Sequence, residues 1–331
     1  MSITFFELQD WEEKTLKSSF PDAVFTPEKL TPENVGQYQN TQIAAIFIAS
    51  RFNKEILDQL PNLKFIITRS TGFDHIDLQE AKARNILVSN IPEYGSRTVA
   101  EHTFALTLAL TRKIYQSINQ AKHFDFNHQN IRGIDLFGRT LGIIGLGKIG
   151  QEVAAIGKGF GMKVLVFTNH LDESLAKRLG FEYVPLEHLL QNADIISLHI
   201  PYNPKTHHLI NKTNIQKLKQ GAYLINTARG GLVETEAILQ ALEQGILAGV
   251  GLDVLEEEEE LSEEAVILTA NFQAKVDLKT LILNHILMDH PKVIITPHNA
   301  FNSQEALARI LSTTIGNINA FLKGTPINLV A

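Results

Sequence analysis

The chain passes from strand to helix over a glycine-rich bend. Leu141 to Ile144 is a short apolar run, Gly145-Leu-Gly147-Lys-Ile-Gly150 follows, and Gln151 to Lys158 has a helical pattern. In that setting a G-x-G-x-x-G has a physical meaning. The first Gly permits the tight turn, the second lets backbone approach a pyrophosphate, and the third lets the helix pack on the strand. The helix N-terminus then faces the negative charge. The bare pattern also fits a structural glycine turn in some other α/β fold; the strand before it and the helix after it favour a doubly wound, Rossmann-type sheet that holds a dinucleotide. The motif does not open the chain, so another domain comes first, and 331 residues suit two domains.

Composition narrows the class. A hydrophobic share of 44% is enough for packed cores and excludes a disordered chain. The net charge of -6 leaves no basic footprint, so no nucleic-acid partner is expected. The absence of cysteine excludes disulfides, a catalytic thiol and thiolate metal sites, and it suits a reducing cytoplasm. The opening MSITFFELQDWEEK lacks the basic start and apolar core of a signal peptide, and no apolar run is long enough to span a bilayer. The expectation is a soluble, cytoplasmic protein with no membrane partner.

Short β-rich runs at Ser2–Leu8, Ile43–Ala49, Lys64–Ser70 and Ile86–Ile91 alternate with helical patterns at Glu12–Lys17, Lys54–Leu60 and Leu78–Arg84. That alternation predicts a parallel sheet with crossover helices. Thr98 to Gln120 then reads as one long helix, either a hinge or oligomer contact or an ordinary buried helix. Beyond the glycine loop, strands are expected at Lys163–Thr168, Asp194–Ile200, Ala222–Ala228, Leu247–Val254 and Lys292–Thr296, making six with Leu141–Ile144. Helical segments Ser174–Leu179, Pro185–Gln191, Lys212–Lys219 and Thr235–Gln244 separate them, and Ser303–Lys323 is a long helix with no strand after it. It is expected to cross back onto the first block. The organisation is then a substrate domain from 1–99 and 300–331, flavodoxin-like and discontinuous, with a dinucleotide-binding domain, 100–299, inserted into it. The glutamate run Glu256–Glu260, with Glu263 and Glu264, reads chiefly as a solvated loop.

In open α/β sheets, ligands gather at the carboxyl ends of the strands. Arg229-Gly-Gly follows one expected strand, Asp253 and the glutamates follow another, and Pro297-His298-Asn299 follows a third. Acting on a 2-keto or 2-hydroxy acid requires a cation to hold the carboxylate, a group that exchanges a proton near neutral pH, and a partner to orient that group. Arginine, histidine and carboxylate supply these three. Each alone has an ordinary structural explanation; their joint placement beside the glycine loop favours chemistry. Spacing alone does not choose which glutamate pairs with the histidine.

Over essentially its whole length the chain resembles the D-isomer-specific 2-hydroxyacid dehydrogenases, and most closely their D-lactate dehydrogenase branch. The resemblance lies in Thr68-Arg-Ser-Thr-Gly-Phe-Asp-His-Ile-Asp77, Ile91-Pro-Glu-Tyr94, Val99-Ala-Glu-His102 and the glycine loop. It continues through Ser197-Leu-His-Ile-Pro201, Ile225-Asn-Thr-Ala-Arg-Gly230, Gly251-Leu-Asp-Val254 and Thr296-Pro-His-Asn-Ala-Phe301. It implies that Arg229 binds the substrate carboxylate and polarises the keto group, that His298 is the acid/base, and that Glu258 is its partner, the other glutamates not matching. It further implies that Asp253 holds the nicotinamide carboxamide, that the backbone at Thr71 and Gly72 receives the carboxylate, and that Tyr94 and Phe301 line the pocket. Gly145, Gly147, Lys148, Ile149, Gly150, Thr168, Asn169, His199, Pro201, Thr227, Ala228, Arg229 and Asp253 are the expected cofactor contacts. The helix after Val99 would form part of a homodimer interface, and the first block would close over the cofactor domain, excluding water.

Two departures stand out. NAD-preferring folds place an acidic residue at the end of the second strand, for the ribose hydroxyls. Here Thr168 stands there, followed by Asn169 and His170, with Asp172 further round the loop. Nothing would repel a 2′-phosphate, although no arginine clamps one, and the balance tips toward NADP(H) over NAD. The segment Leu261–Asp289 is also longer than in many relatives, and Leu268 to Met288 reads as packed helix rather than a mobile lid. His199 ends a strand at the cofactor edge, where a structural role competes with cofactor contact. His102 reads as structural, and His207–His208, His285 and His290 lack the companions of a metal site, so no metal is expected.

The leading expectation is reduction of pyruvate to D-lactate, since Tyr94 and Phe301 suit a small, partly apolar substituent. A glyoxylate or hydroxypyruvate reductase using NADPH is the nearest alternative. A dinucleotide-sensing protein of the corepressor type is an alternative of another class; the chain lacks the extended tails or appendage expected of one.

Overall fold

The computed structural model describes residues 1–258 and 278–330. The chain forms two units, Met1–Tyr94 with Asn302–Ala331, and Gly95–Phe301.

The first unit contains β1 (Ile3–Phe5), α1 (Asp10–Ser19), β2 (Val24–Phe25), β3 (Ile43–Ile46), α2 (Lys54–Asp58), β4 (Phe65–Thr68), α3 (Leu78–Ala83) and β5 (Leu87–Ser89). Its sheet runs β2-β1-β3-β4-β5, all parallel, the flavodoxin-like order. β3 (IAAI) and β4 (FIIT) are buried along their whole length, as central parallel strands covered on both faces must be. Asn53 and Asp77 accept N–H groups at the starts of α2 and α3, ending the preceding loops. The helix Gln304–Leu322, capped by Ser303, belongs to the same unit. Its Phe321 stacks on Phe65 at 4.3 Å, and Ile318 is buried among Ile43, Ala45 and Ile67. Beyond it, the Val330 N–H donates to the Val88 carbonyl at 2.9 Å.

The second unit contains α4 (Ser96–Thr111), α5 (Ile114–Lys122), β6 (Thr140–Ile144), α6 (Lys148–Gly159), β7 (Lys163–Phe167), α7 (Glu173–Leu179) and β8 (Glu182–Tyr183). It continues with α8 (Leu186–Asn192), β9 (Ile195–Leu198), β10 (Ala222–Asn226), α9 (Thr235–Glu243), β11 (Leu247–Leu252), α10 (Leu278–Asp289) and β12 (Val293–Ile295). The parallel order β12-β11-β10-β9-β6-β7-β8 is that of a Rossmann sheet extended by one strand. Alternation along the strands fills both faces. Leu141, Ile143, Val164, Val166 and Ile225 join one apolar cluster, and Ile144, Leu165, Leu198 and Leu224 the other.

The elements differ from expectation in three places. The two-residue strands β2 and β8 raise the sheets to five and seven strands. The long helix after Thr98 is two helices: Lys113 adopts a left-handed φ of +50°, and the Thr111 carbonyl accepts from the Ile134 N–H at 2.8 Å, so the helical bonding stops. Lys212–Lys219 contains only a 3-10 turn, Ile215–Lys217, because Asn211 and Asn214 bind local backbone N–H groups in competition with a helix. Of the helix expected over Leu268 to Met288, α10 covers the later part, burying Leu281, Asn284 and Leu287; the rest lies outside the described residues.

Candidate active site

The three glycines of the loop do different things. Gly145 has φ +97°, and a Cβ there would lie 2.5 Å from the His199 carbonyl oxygen, so only glycine makes this turn. A Cβ on Gly150 would lie 2.2 Å from the Gly145 carbonyl oxygen, which is how α6 seats against the end of β6. Among the described residues a Cβ on Gly147 would meet nothing within 4 Å, and Gly147, the N-cap of α6, brings no side chain to the helix start. Open space at a helix start whose cap has no side chain, with Lys148 and Ile149 in the first turn, fits a pyrophosphate.

Thr168, Asn169 and His170 follow β7, with the His170 N–H 3.4 Å from the Thr168 hydroxyl. Asp172 caps α7, accepting from the N–H groups of Ser174 at 2.9 Å and Leu175 at 3.0 Å. The Ser174 hydroxyl and these N–H groups hold its carboxyl below the usual range. Its Oδ1 is therefore committed to the helix start. At the end of β9, His199 Nε2 meets the Ser197 hydroxyl at 2.8 Å, while its buried Nδ1 has no partner among the described residues. Burial pushes this imidazole down to about 3, so it is neutral. Pro201 follows it. Buried Thr227 shares a hydroxyl contact of 3.0 Å with Thr103 on α4.

Arg229 follows β10. The Asn226 side chain staples that turn, accepting from the Ala228 N–H at 3.0 Å and donating to the Arg229 carbonyl at 2.8 Å. The Arg229 guanidinium donates to the Ala228 carbonyl at 2.7 Å. A Cβ on Gly230 would lie 2.0 Å from the Leu255 carbonyl oxygen, so the Arg229 turn packs backbone to backbone on the segment leaving β11. On that segment, the Glu258 carboxylate meets His298 Nδ1 at 2.6 Å and accepts from the Leu255 N–H at 3.1 Å. With Nδ1 directed at the carboxylate, Nε2 is the nitrogen left for proton exchange.

Asp253, 1% exposed, organises the turn that carries His298. Its Oδ1 accepts from the Thr296 hydroxyl at 2.5 Å and the Asn299 N–H at 3.0 Å, and its Oδ2 from the Ala300 N–H at 2.9 Å. His102 Nε2 lies 3.0 Å from the Thr296 hydroxyl and 3.5 Å from Asp253. Burial pushes the Asp253 carboxyl up, but the bonds from His102, Thr296 and Ala300 outweigh it and hold the group below the usual carboxylate range. Arg229, Glu258 and His298 thus issue from the ends of three neighbouring strands, β10, β11 and β12.

Thr71, Gly72 and Tyr94 belong to the first unit, and Phe301 to the second. The Thr71 hydroxyl donates to the Ile91 carbonyl at 2.8 Å, the Ser70 hydroxyl to the Gly72 carbonyl at 2.6 Å, and Arg309 to the Tyr94 carbonyl at 2.6 Å. Asn226 and Thr296, which bond to the Arg229 turn and to Asp253, are site residues that the sequence reading does not single out. Both stand at strand ends, which is the signal that could have found them.

The sequence model of the D-isomer specific 2-hydroxyacid dehydrogenase, NAD binding domain, matches residues 104–300. The chain belongs to the D-isomer-specific 2-hydroxyacid dehydrogenase family. It is similar to the D-lactate dehydrogenase of Aquifex aeolicus, solved with NAD and lactic acid, at TM-score 0.87 and 36% identity, covering 99% of this chain and 98% of that one. It is 30% identical to the Escherichia coli D-lactate dehydrogenase over 98% of each chain. It is 32% identical to a glyoxylate reductase of Pyrococcus horikoshii over 94% of this chain and 89% of that protein.

Proposed function

We propose that the chain reduces a small 2-keto acid to the D-2-hydroxy acid, with pyruvate to D-lactate the leading pair. The observation that carries this is the Glu258–His298 contact of 2.6 Å at the strand ends that also present Arg229. When bound, a reduced nicotinamide supplies hydride to the carbonyl carbon. Arg229 binds the substrate carboxylate through its guanidinium fork. His298 holds a proton at Nε2 and delivers it to the carbonyl oxygen, while Glu258 fixes the ring and stabilises the imidazolium form. In the reverse direction neutral His298 accepts that proton.

The glycine loop fits the dinucleotide pyrophosphate, with Lys148 and Ile149 beside it. His199, Pro201, Thr227 and Ala228 border the same edge, and His199 Nδ1 offers a buried polar atom for a cofactor contact. Among the described residues Asp253 Oδ2 accepts one backbone bond, which leaves a second direction for a carboxamide N–H. With Asp172 capping α7, Thr168, Asn169 and His170 are the side chains nearest the expected ribose, a set that favours NADP(H) over NAD. The same feature supports the second reading, an NADPH-dependent glyoxylate or hydroxypyruvate reductase. The assignment of Thr71, Gly72, Tyr94 and Phe301 to substrate rests on motif resemblance.

A homodimer and a cytoplasmic setting complete the proposal. Helix α5 buries no residue, and Tyr115, Ile118, Phe124 and Phe126 in and after it are 67%, 51%, 88% and 78% exposed, an apolar surface suited to a second copy. Among the described residues no helix is long and apolar enough to cross a membrane.

The test is a steady-state screen of pyruvate, glyoxylate, hydroxypyruvate and longer 2-keto acids with NADH and NADPH. Turnover with at least one pair is expected. Dinucleotide binding without turnover of any would overturn the enzymatic reading.

A further inference from the structure

Two residues before Glu258, the side chain of Glu256 is only 12% exposed, and both its oxygens are engaged. Oε1 lies 2.5 Å from His208 Nε2, and Oε2 accepts from the Thr235 N–H at 2.8 Å and the Thr235 hydroxyl at 2.5 Å. The Glu256 carbonyl accepts from Asn284 Nδ2, on α10, at 2.7 Å. The Gly230 backbone lies against Leu255 and Glu256 so closely that a Cβ there would sit 2.4 Å from the Glu256 nitrogen. Four separate parts of the second unit therefore grip this one residue: the stretch after β9, the start of α9, helix α10 and the Arg229 turn.

The residue between the two glutamates shows what the grip is for. Glu257 has a left-handed φ of +52°, a conformation that non-glycine residues hold only when their surroundings impose it. His208 is also left-handed, at +48°, with its N–H on the Gly231 carbonyl at 2.9 Å. Its ring stacks on His207 at 3.7 Å, and His207 Nδ1 meets the Tyr202 hydroxyl at 3.1 Å. The partner is thus itself held in place by its neighbours. A half-buried carboxylate–imidazole pair adds little net stability, but it enforces one geometry. Here that geometry sends Glu256 back toward α9 and Glu258 toward His298.

We propose that Glu256 is a positioning residue: its ties to His208 and Thr235 hold the turn that aims the Glu258 carboxylate at His298 Nδ1. The role deepens the reduction chemistry proposed above and rests on it. Misplacing a catalytic partner by about 1 Å can cost on the order of 10²-fold in rate.

The experiment compares Glu256→Gln and His208→Gln with Glu258→Gln and the unmodified chain. One readout is kcat and dinucleotide Kd with the best keto acid. The other is the NMR titration of the His298 imidazole in protein free of dinucleotide. With Glu256→Gln, kcat is expected to fall about 10- to 100-fold with dinucleotide Kd within twofold, and the His298 midpoint to move toward that of Glu258→Gln. His208→Gln, which spares the Thr235 bonds, should move both in the same direction by less, and it carries the test if Glu256→Gln does not fold. An unchanged His298 titration in a folded variant overturns the proposal, as does a loss shared equally by kcat and dinucleotide binding. A wild-type chain that turns over no keto acid would defeat the functional reading instead, and the NMR titration would still judge the positioning.

Discussion

The His298 N–H donates to the Asp253 carbonyl at 2.9 Å, while the Asp253 carboxylate accepts the next two N–H groups, of Asn299 at 3.0 Å and Ala300 at 2.9 Å. One aspartate thus holds the whole turn in which His298 takes its left-handed φ of +49°. Asp253→Asn keeps the shape but places an amide donor where a backbone N–H already donates. Leaving buried donors unsatisfied costs about 1–3 kcal/mol, so thermal unfolding should come several degrees earlier. Turnover should fall too, because His298 loses its fixed seat; calorimetry and steady-state kinetics read the two effects.

His298→Ala removes the proposed proton donor and leaves the glycine loop intact. Turnover should drop by about 10²–10⁴-fold, the usual contribution of positioned proton transfer, with dinucleotide affinity largely retained. A variant with wild-type kcat would refute the assignment of His298.

Two glycine-to-alanine variants should separate folding from binding. Gly147→Ala adds a methyl where none of the described residues lies within 4 Å, so the unfolding temperature should hold while dinucleotide affinity falls about tenfold or more. Gly230→Ala drives a methyl to 2.0 Å from the Leu255 carbonyl oxygen, forcing two backbones apart, so it should destabilise by about 1–3 kcal/mol and lower turnover. Thermal melts and a dinucleotide titration distinguish the two patterns.

His199 sets an acid limit on stability. Its imidazole is pushed from 6.5 down to about 3 by burial, so the unfolded chain binds this proton more readily than the folded one. The corresponding stability is present above pH 6.5 and drains away as pH falls from there toward 3. Asp253, also held low in the folded state, acts in the same direction further into acid. Urea midpoints measured against pH should decline less steeply over that window in His199→Gln than in the unmodified chain. Parallel curves would show that His199 is not the group responsible.

The parallel sheets were legible because central strands such as Ile43–Ile46, Phe65–Thr68 and Thr140–Ile144 are continuous apolar runs, and the glycine loop fixed where the dinucleotide sheet begins. Val24–Phe25 and Glu182–Tyr183 were not: a two-residue ladder has no period to detect. The helix break at Lys113 depends on a carbonyl claimed by Ile134, a contact made across a loop that no local propensity records. Among the site residues, Arg229 and His298 could be found because each follows a strand. The run of glutamates gave no internal reason to separate Glu258, facing His298, from Glu256, facing His208 and Thr235. That distinction arises from partners 40, 48 and 21 residues distant in the chain.

The first unit takes its sheet from the early part of the chain and the helix Gln304–Leu322, with Phe321 on Phe65, from the late part. A ribosome therefore delivers the strands of this unit first and the helix that covers Ile43, Phe65 and Ile67 last, with the entire inserted unit between them. Until that helix emerges, an apolar sheet face waits without its cover, the kind of transiently bare surface on which nascent chains tend to associate.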